Sequence, residues 1–236
     1  DVYELDGQLK GHVDPPAPIR ELLGQEHWYL RDSNWDPDFA KSASRAAWFY
    51  EKEGGGPVDG VVGISVPVVV DLLKATGPIE LSDYKDRITS ENFFGKSLYY
   101  TQTNFFPGST QKKDFLGALF RTLVERLTSG KGIDQRLLFA ALTQGLARHD
   151  ITFFFSDPIA QRLAAAKGWR GTVLIEPNTQ SFFLADANMG VNKANFFIKR
   201  KTRREITIDE NGNNRETVEV VYANTSPSGT AGGGGT

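Results

Sequence analysis

Cysteine is absent from the 236 residues, which removes disulfide scaffolds, thiol catalysis and Cys-ligated zinc together. Histidine is scarce. His12, His27 and His149 exclude a His-rich metal site and restrict any Ser-His-Asp triad to one of the three. The single methionine is Met189 and the chain opens on Asp1, the pattern of an excerpt or a processed product. Long apolar runs are also missing. Val66 to Val70 with its flanks falls far short of the ~20 residues that a membrane helix needs, and no signal peptide is apparent. Charge of one sign is lacking too. Lys and Arg total 27 against 29 Asp and Glu, a net charge of -2, so no field steers the chain toward nucleic acid or an acidic membrane.

What is present suits a folded α/β chain, with 39% hydrophobic and 24% charged residues. Val2 to Asp6 mixes apolar and acidic residues as a short strand does. Pro15, Pro16 and Pro18 follow, then a helical turn closed by Gly24. A polar loop runs from Arg31 to Asp38. The spacing predicts a helix over 39–53, terminated by Gly54 to Pro57. Val58 to Ile64 reads as a buried strand, Ser65 as the N-cap of the next helix, and Ile79 to Leu81 as an extended piece. Helices are expected after Thr89, from Ser109 to about Thr128, and over 133–148, the last two as an antiparallel pair. Strands are expected over 150–156 and 181–185, with a short helix after Asp157-Pro158. Residues 195–208 and 215–222 form a hairpin, with Asn211-Gly212 in its turn. The expected architecture is a three-layer α/β sandwich with a mixed central sheet and a C-terminal antiparallel hairpin. Residues 1–224 read as one domain, and 225–236 as a flexible Gly/Ser/Thr-rich linker.

Two loops concentrate polar chemistry. In the first, Asp32, Asn34, Asp36 and Asp38 alternate like the oxygen ligands of a calcium loop. However, Pro37 stands where such a loop needs Gly, and Ala43 where it needs a bidentate Glu. Local turns and a helix cap at Asp38 account for the same residues. Arg31 adds a planar donor fork suited to phosphate or carboxylate, held directly or through a divalent cation, or else paired with a loop Asp. The second loop crowds Asp186, Asn188, Asn192, Lys193 and Asn195 between strands. That is the kit of a polar pocket, or a set of amides satisfying an irregular backbone. His149 beside Asp150 reads as a general base or as a residue favoured by a helix dipole. Trp28, Trp35, Trp48 and Trp169 read as a sugar platform or as packing.

The segments Arg31-Asp-Ser-Asn-Trp-Asp-Pro-Asp-Phe, Val58-Asp-Gly-Val-Val, Leu72-Leu-Lys-Ala-Thr-Gly-Pro-Ile and Asp186-Ala-Asn-Met-Gly-Val-Asn-Lys-Ala-Asn resemble the bacterial family called domain of unknown function 4012, over about residues 1–224. The resemblance implies an extracytoplasmic protein of the cell envelope or cell surface, anchored by a segment outside this chain, and it implies no activity. The resemblance also leads us to expect that an N-terminal part of the family domain, rich in Arg, Pro, Thr and Gly, lies outside this sequence. Val58 to Leu81 is more distantly similar to LytR–CpsA–Psr proteins, which transfer glycan polymers from polyprenyl carriers. Their Ser-Ile-Pro-Arg-Asp signature is absent, so the similarity is one of fold.

The expectation is therefore a domain binding a phosphorylated or glycan ligand, including a polyprenyl phosphate, and extending to a glycopolymer transferase. Its site residues would be Arg31, Asp32, Asn34, Asp36, Asp38, Asp186, Asn188, Asn192 and Lys193. The alternative is a non-enzymatic structural or adhesion module of a bacterial surface protein.

Overall fold

The computed structural model describes residues 2–102, 111–174, 181–189 and 194–226. The chain divides into two compact units, Asp1–Ala185 and Asp186–Thr236, and each is described by itself. The expected cap at Ser109 and most of the expected linker lie outside the described residues.

The first unit mixes helices and short strands. Helix α1 (Val2–Asp6) stands where a strand was expected. Five residues are too few for periodicity to decide, and a spacing of three sets Tyr3 and Asp6 on one helical face, where both meet Arg31. Helix α2 (Ala17–Leu23) opens on the prolines and closes on Gly24 in the left-handed region. A 3-10 turn (Leu30–Trp35) leads to α3 (Phe39–Tyr50), which runs into a π turn (Glu51–Gly55). Strand β1 (Gly60–Ile64) then feeds α4 (Val66–Thr76), and β2 (Ile79–Leu81) pairs with β3 (Asp86–Ile88). Helices α5 (Phe93–Gln102), α6 (Gln111–Ser129) and α7 (Gln135–Ala147) follow, then β4 (Ile151–Phe155) and α8 (Pro158–Ala166). Thr89 and Asn92 cap α5 reciprocally, the Thr89 hydroxyl accepting from Asn92 N–H at 3.3 Å and the Asn92 side chain from Thr89 N–H at 2.8 Å.

The α/β class holds, but the expected mixed central sheet does not form among the described residues. The strands pair as three separate antiparallel ribbons. The reason lies where α7 ends. Ser65, just after β1, donates two hydrogen bonds to Asp150, just before β4. Ser65 N–H donates to the Asp150 carbonyl at 2.9 Å, and Ser65 Oγ to Asp150 Oδ1 at 2.7 Å. Strand β4 therefore begins where β1 finishes, Ile64 opposite Ile151, and runs back along it. Ser65 sits at the N-cap of α4, yet its hydroxyl serves this junction and not its own helix. Arg148 bridges Asp150 at 2.7 Å and Asp71 of α4 at 3.3 Å. Arg148, His149 and Asp150 close α7 in a Schellman arrangement: Asp150 N–H donates to the Gly145 carbonyl at 2.8 Å and His149 N–H to the Leu146 carbonyl at 3.2 Å, with His149 at φ 59°.

Helix α7 packs on α4, not on α6 as its antiparallel mate. Gly145 permits it: a Cβ there would lie 2.9 Å from Ile151 and 3.1 Å from Val68. The core gathers Val68, Leu72 and Leu73 of α4, Ile79, Leu81 and Ile88 of the second ribbon, and Phe115, Leu119 and Leu123, a four-residue stripe on α6. The segment 181–185, expected as a strand, pairs with no strand among the described residues.

The second unit is the expected hairpin, β5 (Ile198–Ile208) on β6 (Asn214–Asn224). Asp209 organises its turn, accepting from the N–H groups of Asn211 and Asn213 at 2.9 and 2.8 Å, and Gly212 supplies the positive φ. One face carries Ile206, Ile208, Val218 and Tyr222, all exposed.

Among the described residues, no helix is long and apolar enough to cross a membrane.

Helix α3 reaches β1 through a second close approach. A Cβ on Gly63 would lie 2.5 Å from Thr152 Oγ1 and 2.6 Å from the Phe39 ring. Gly63→Val should lower the free energy of unfolding by about 1–3 kcal/mol, the usual cost of overpacking, read in urea titrations against the parent protein.

Candidate functional site

The first polar loop does not act as one cluster. Its residues divide among three places. Arg31 turns toward α1, its Nη1 donating to Asp6 Oδ2 at 2.6 Å and its Nη2 to Gln25 at 3.0 Å, with Asp32 at 3.3 Å from Nε. Tyr29 stacks beneath the guanidinium at 4.6 Å. Asp38 caps α3, accepting from Ala40 and Lys41 N–H, and reaches the Val173 N–H at 3.3 Å. Asp36 accepts from Asp38 N–H at 2.9 Å and lies 3.6 Å from the Lys41 ammonium. Asn34 is exposed.

Beside Arg31 lies a buried pair of acids. Asp6 is 4% exposed and Glu53 0%. Asp6 Oδ1 and Glu53 Oε2 are buried without a hydrogen-bond partner among the described residues. The other Glu53 oxygen accepts from the Leu30 N–H at 3.0 Å. Burial pushes the Glu53 carboxyl above its ordinary value, and the facing Asp6 adds to this, while the Leu30 N–H and Arg31 oppose it. Burial also raises Asp32. These groups tie α1, the 3-10 turn and the end of α3 together.

In the second loop, Asp186 is clamped onto the hairpin. Arg200 pairs with it at 2.5 Å and the Tyr222 hydroxyl donates to it at 2.6 Å, from directly opposed positions of β5 and β6. That hydrogen bond raises the Tyr222 phenol. Asn188 lies 3.4 Å from the Asn195 side chain. Asn192 and Lys193 lie outside the described residues. The two loops belong to different units.

Built from the residues upward, the cleft that stands out in the first unit is one that neither loop alone announces. Helix α3 buries Ser42, Ala43 and Phe49. Helical spacing then turns Lys41, Arg45 and Trp48 outward on a single face. The preceding segment brings Trp28, Ser33, Trp35 and Asp36 opposite them, enclosing a cleft of about 630 Å³. Phe49, fully buried, packs behind it, edge-on to Trp28 at 5.5 Å and to Trp48 at 5.0 Å. Trp28 is locked further by its indole N–H, which donates to the Asp32 carbonyl at 2.9 Å. Arg45 lies 4.9 Å from the Trp28 ring and 5.9 Å from Trp48. Ser44 lines the rim, and the buried Ser42 donates to the Asp36 carbonyl at 2.6 Å. Arg45 and the three serines carry no motif. The available signal was the 41-45-48 spacing on one helix, next to a loop holding two further tryptophans.

Residues 3–99 match the family model described as "Protein of unknown function (DUF4012)". The match supports that family across the Trp cleft and the acid pair, and it ends before the Asp186 loop. No curated protein and no solved structure matches the chain.

Asp38→Ala should cost about 1–2 kcal/mol of stability, the value of a helix N-cap, seen as a lowered melting temperature. Glu53 generates a pH dependence. Because its folded value lies above its ordinary 4.5, its contribution is fully present below pH 4.5 and is lost as pH rises through the raised value. Stability measured in urea should therefore decline on going from about pH 4.5 toward neutrality, and Glu53→Gln should flatten that decline.

Proposed function

We propose that the first unit binds a glycan in the cleft between Trp28, Trp35 and Trp48, as an extracytoplasmic domain of a bacterial cell-envelope protein. The observation that carries this reading is the combination of three indoles with the exposed Ser44 and the Lys41 and Arg45 side chains around one open cleft. Sugar rings present apolar C–H faces and polar edges. Such a ligand is met by aromatic planes that cover the faces and by short polar side chains that take the hydroxyls. The envelope setting rests on the resemblance to the matched family.

Binding without turnover is the form that the geometry favours. A glycopolymer transferase of the LytR–CpsA–Psr kind would need a cationic fork for the phosphates of a polyprenyl donor. Arg31, the fork that the sequence offered for it, is occupied by Asp6, Gln25 and Asp32. Among the described residues, no carboxylate lies beside the remaining fork of the cleft, Arg45, except Asp36, which is held by the Asp38 N–H and Lys41. A second reading, a structural or adhesion module, draws on the hairpin, one face of which exposes Ile206, Ile208, Val218 and Tyr222. It differs in needing no sugar.

Calorimetric titration of the protein with neutral and acidic oligosaccharides tests the proposal. Saturable binding is expected, with Trp35→Ala and Trp48→Ala each weakening it about tenfold or more, the loss of an aromatic hot spot. Absence of binding to any sugar, or variants that bind like the parent, would leave the structural module.

A further inference from the structure

We propose that the cleft selects acidic sugars, those bearing a carboxylate or a phosphate, and that Arg45 is the residue that reads the charge. This rests on the glycan-binding reading above and adds the class of ligand.

The argument starts from how Arg45 is held. Its guanidinium is placed by two indole rings, Trp28 at 4.9 Å and Trp48 at 5.9 Å. Contacts of this kind engage the face of the cation and leave its edge N–H donors open. Among the described residues, no carboxylate pairs with Arg45 and no hydrogen bond from it is formed. Arg31, Arg20 and Arg148 pair with acids, Arg31 with Asp6, Arg20 with Asp14 and Arg148 with Asp71 and Asp150. What sets Arg45 apart from the other arginines of the unit that form no ion pair among the described residues is its seat against two indoles in a cleft. The acid that does line the cleft, Asp36, is already committed to the Asp38 N–H and the Lys41 ammonium. Lys41, one turn before Arg45 on the same face, adds a second cation to the rim.

The cleft thus carries a pre-oriented donor fork whose counter-ion is missing from the protein itself. Its side chain is stiffened by the rings, so little rotamer freedom is left to lose on binding. A fork of this geometry is satisfied by two coplanar oxygens, which a sugar carboxylate or phosphate offers and a lone hydroxyl does not. The Trp28 indole N–H is spent on Asp32 and Arg45 lies over its ring, so this ring holds the cation in place and offers a ligand no donor. Selectivity for charge, as distinct from hydroxyls, therefore falls on Arg45, the cleft cation with no carboxylate partner among the described residues.

The test is calorimetry on the whole chain with three oligomers of matched length: galacturonic acid, galactose, and a phosphodiester-linked hexose. At least tenfold tighter binding of one or both acidic oligomers than of the galactose oligomer is expected, with the preference shrinking as salt is raised. The tighter of the two acids identifies carboxylate or phosphate as the source of the charge. Arg45→Met, which keeps the aliphatic stem, should abolish the preference, so that the acidic and galactose oligomers bind with equal affinity. Arg45→Lys, which keeps the charge and loses the fork, should retain only part of the preference. Circular dichroism melting of both variants controls for folding. Equal affinity for acidic and neutral oligomers, or a preference that survives Arg45→Met, overturns this proposal and leaves glycan binding standing. Failure of all three oligomers to bind overturns both.

Discussion

Helix α3 can lie against the β1–β4 ribbon only because Gly63 has no side chain where Phe39 and Thr152 arrive. The contact sets the rotation of the helix about its axis. With Ala43 and Phe49 turned inward, the 3.6-residue repeat leaves Lys41, Arg45 and Trp48 no choice but to face outward together. Asp38 fixes the start of the helix and, through the Val173 N–H, its height on the ribbon. The indole cleft follows from these two restraints, since the buried Phe49 then packs edge-on against Trp28 and Trp48 and orients them. A rotation of one residue step, 100°, would carry Arg45 away from both rings.

Much of the element order was legible from local signals. Asp157-Pro158 and Gly168 bracket α8, Gly24 closes α2, and the alternation around Asn211-Gly212 marks the hairpin. What could not be read was anything decided by partners distant in the chain. The direction of β4 depends on Ser65 meeting Asp150, eighty-five positions apart. The choice of α4 over α6 by α7 depends on the space at Gly145. The helical state of residues 2–6 depends on Arg31, twenty-five positions from Asp6.

The same limit shaped the reading of the candidate site. Dense polar loops look like binding sites, yet Asp and Asn in such loops are also what irregular backbone needs. Here Asp38 serves a helix end, Arg31 a buried acid and Asp186 a hairpin. Their side chains hold the fold in place and leave fewer donors for a ligand. The tryptophans were visible as a sugar platform or as packing, and they divide on that point: Trp28, Trp35 and Trp48 line the cleft, whereas Trp169 sits near Phe153 at 6.2 Å. Arg45 had no neighbour in sequence to mark it, because its partners are rings at helical and loop distances.

The four tryptophans offer the most direct measurement of the central claim. Each indole N–H gives its own resonance in a nitrogen-15 correlation spectrum, and titration with an acidic oligosaccharide reports which rings meet sugar. The account predicts that the Trp35 and Trp48 signals shift in saturable fashion while that of Trp169 stays in place. Uniform small shifts of all four, or a shift confined to Trp169, would contradict it.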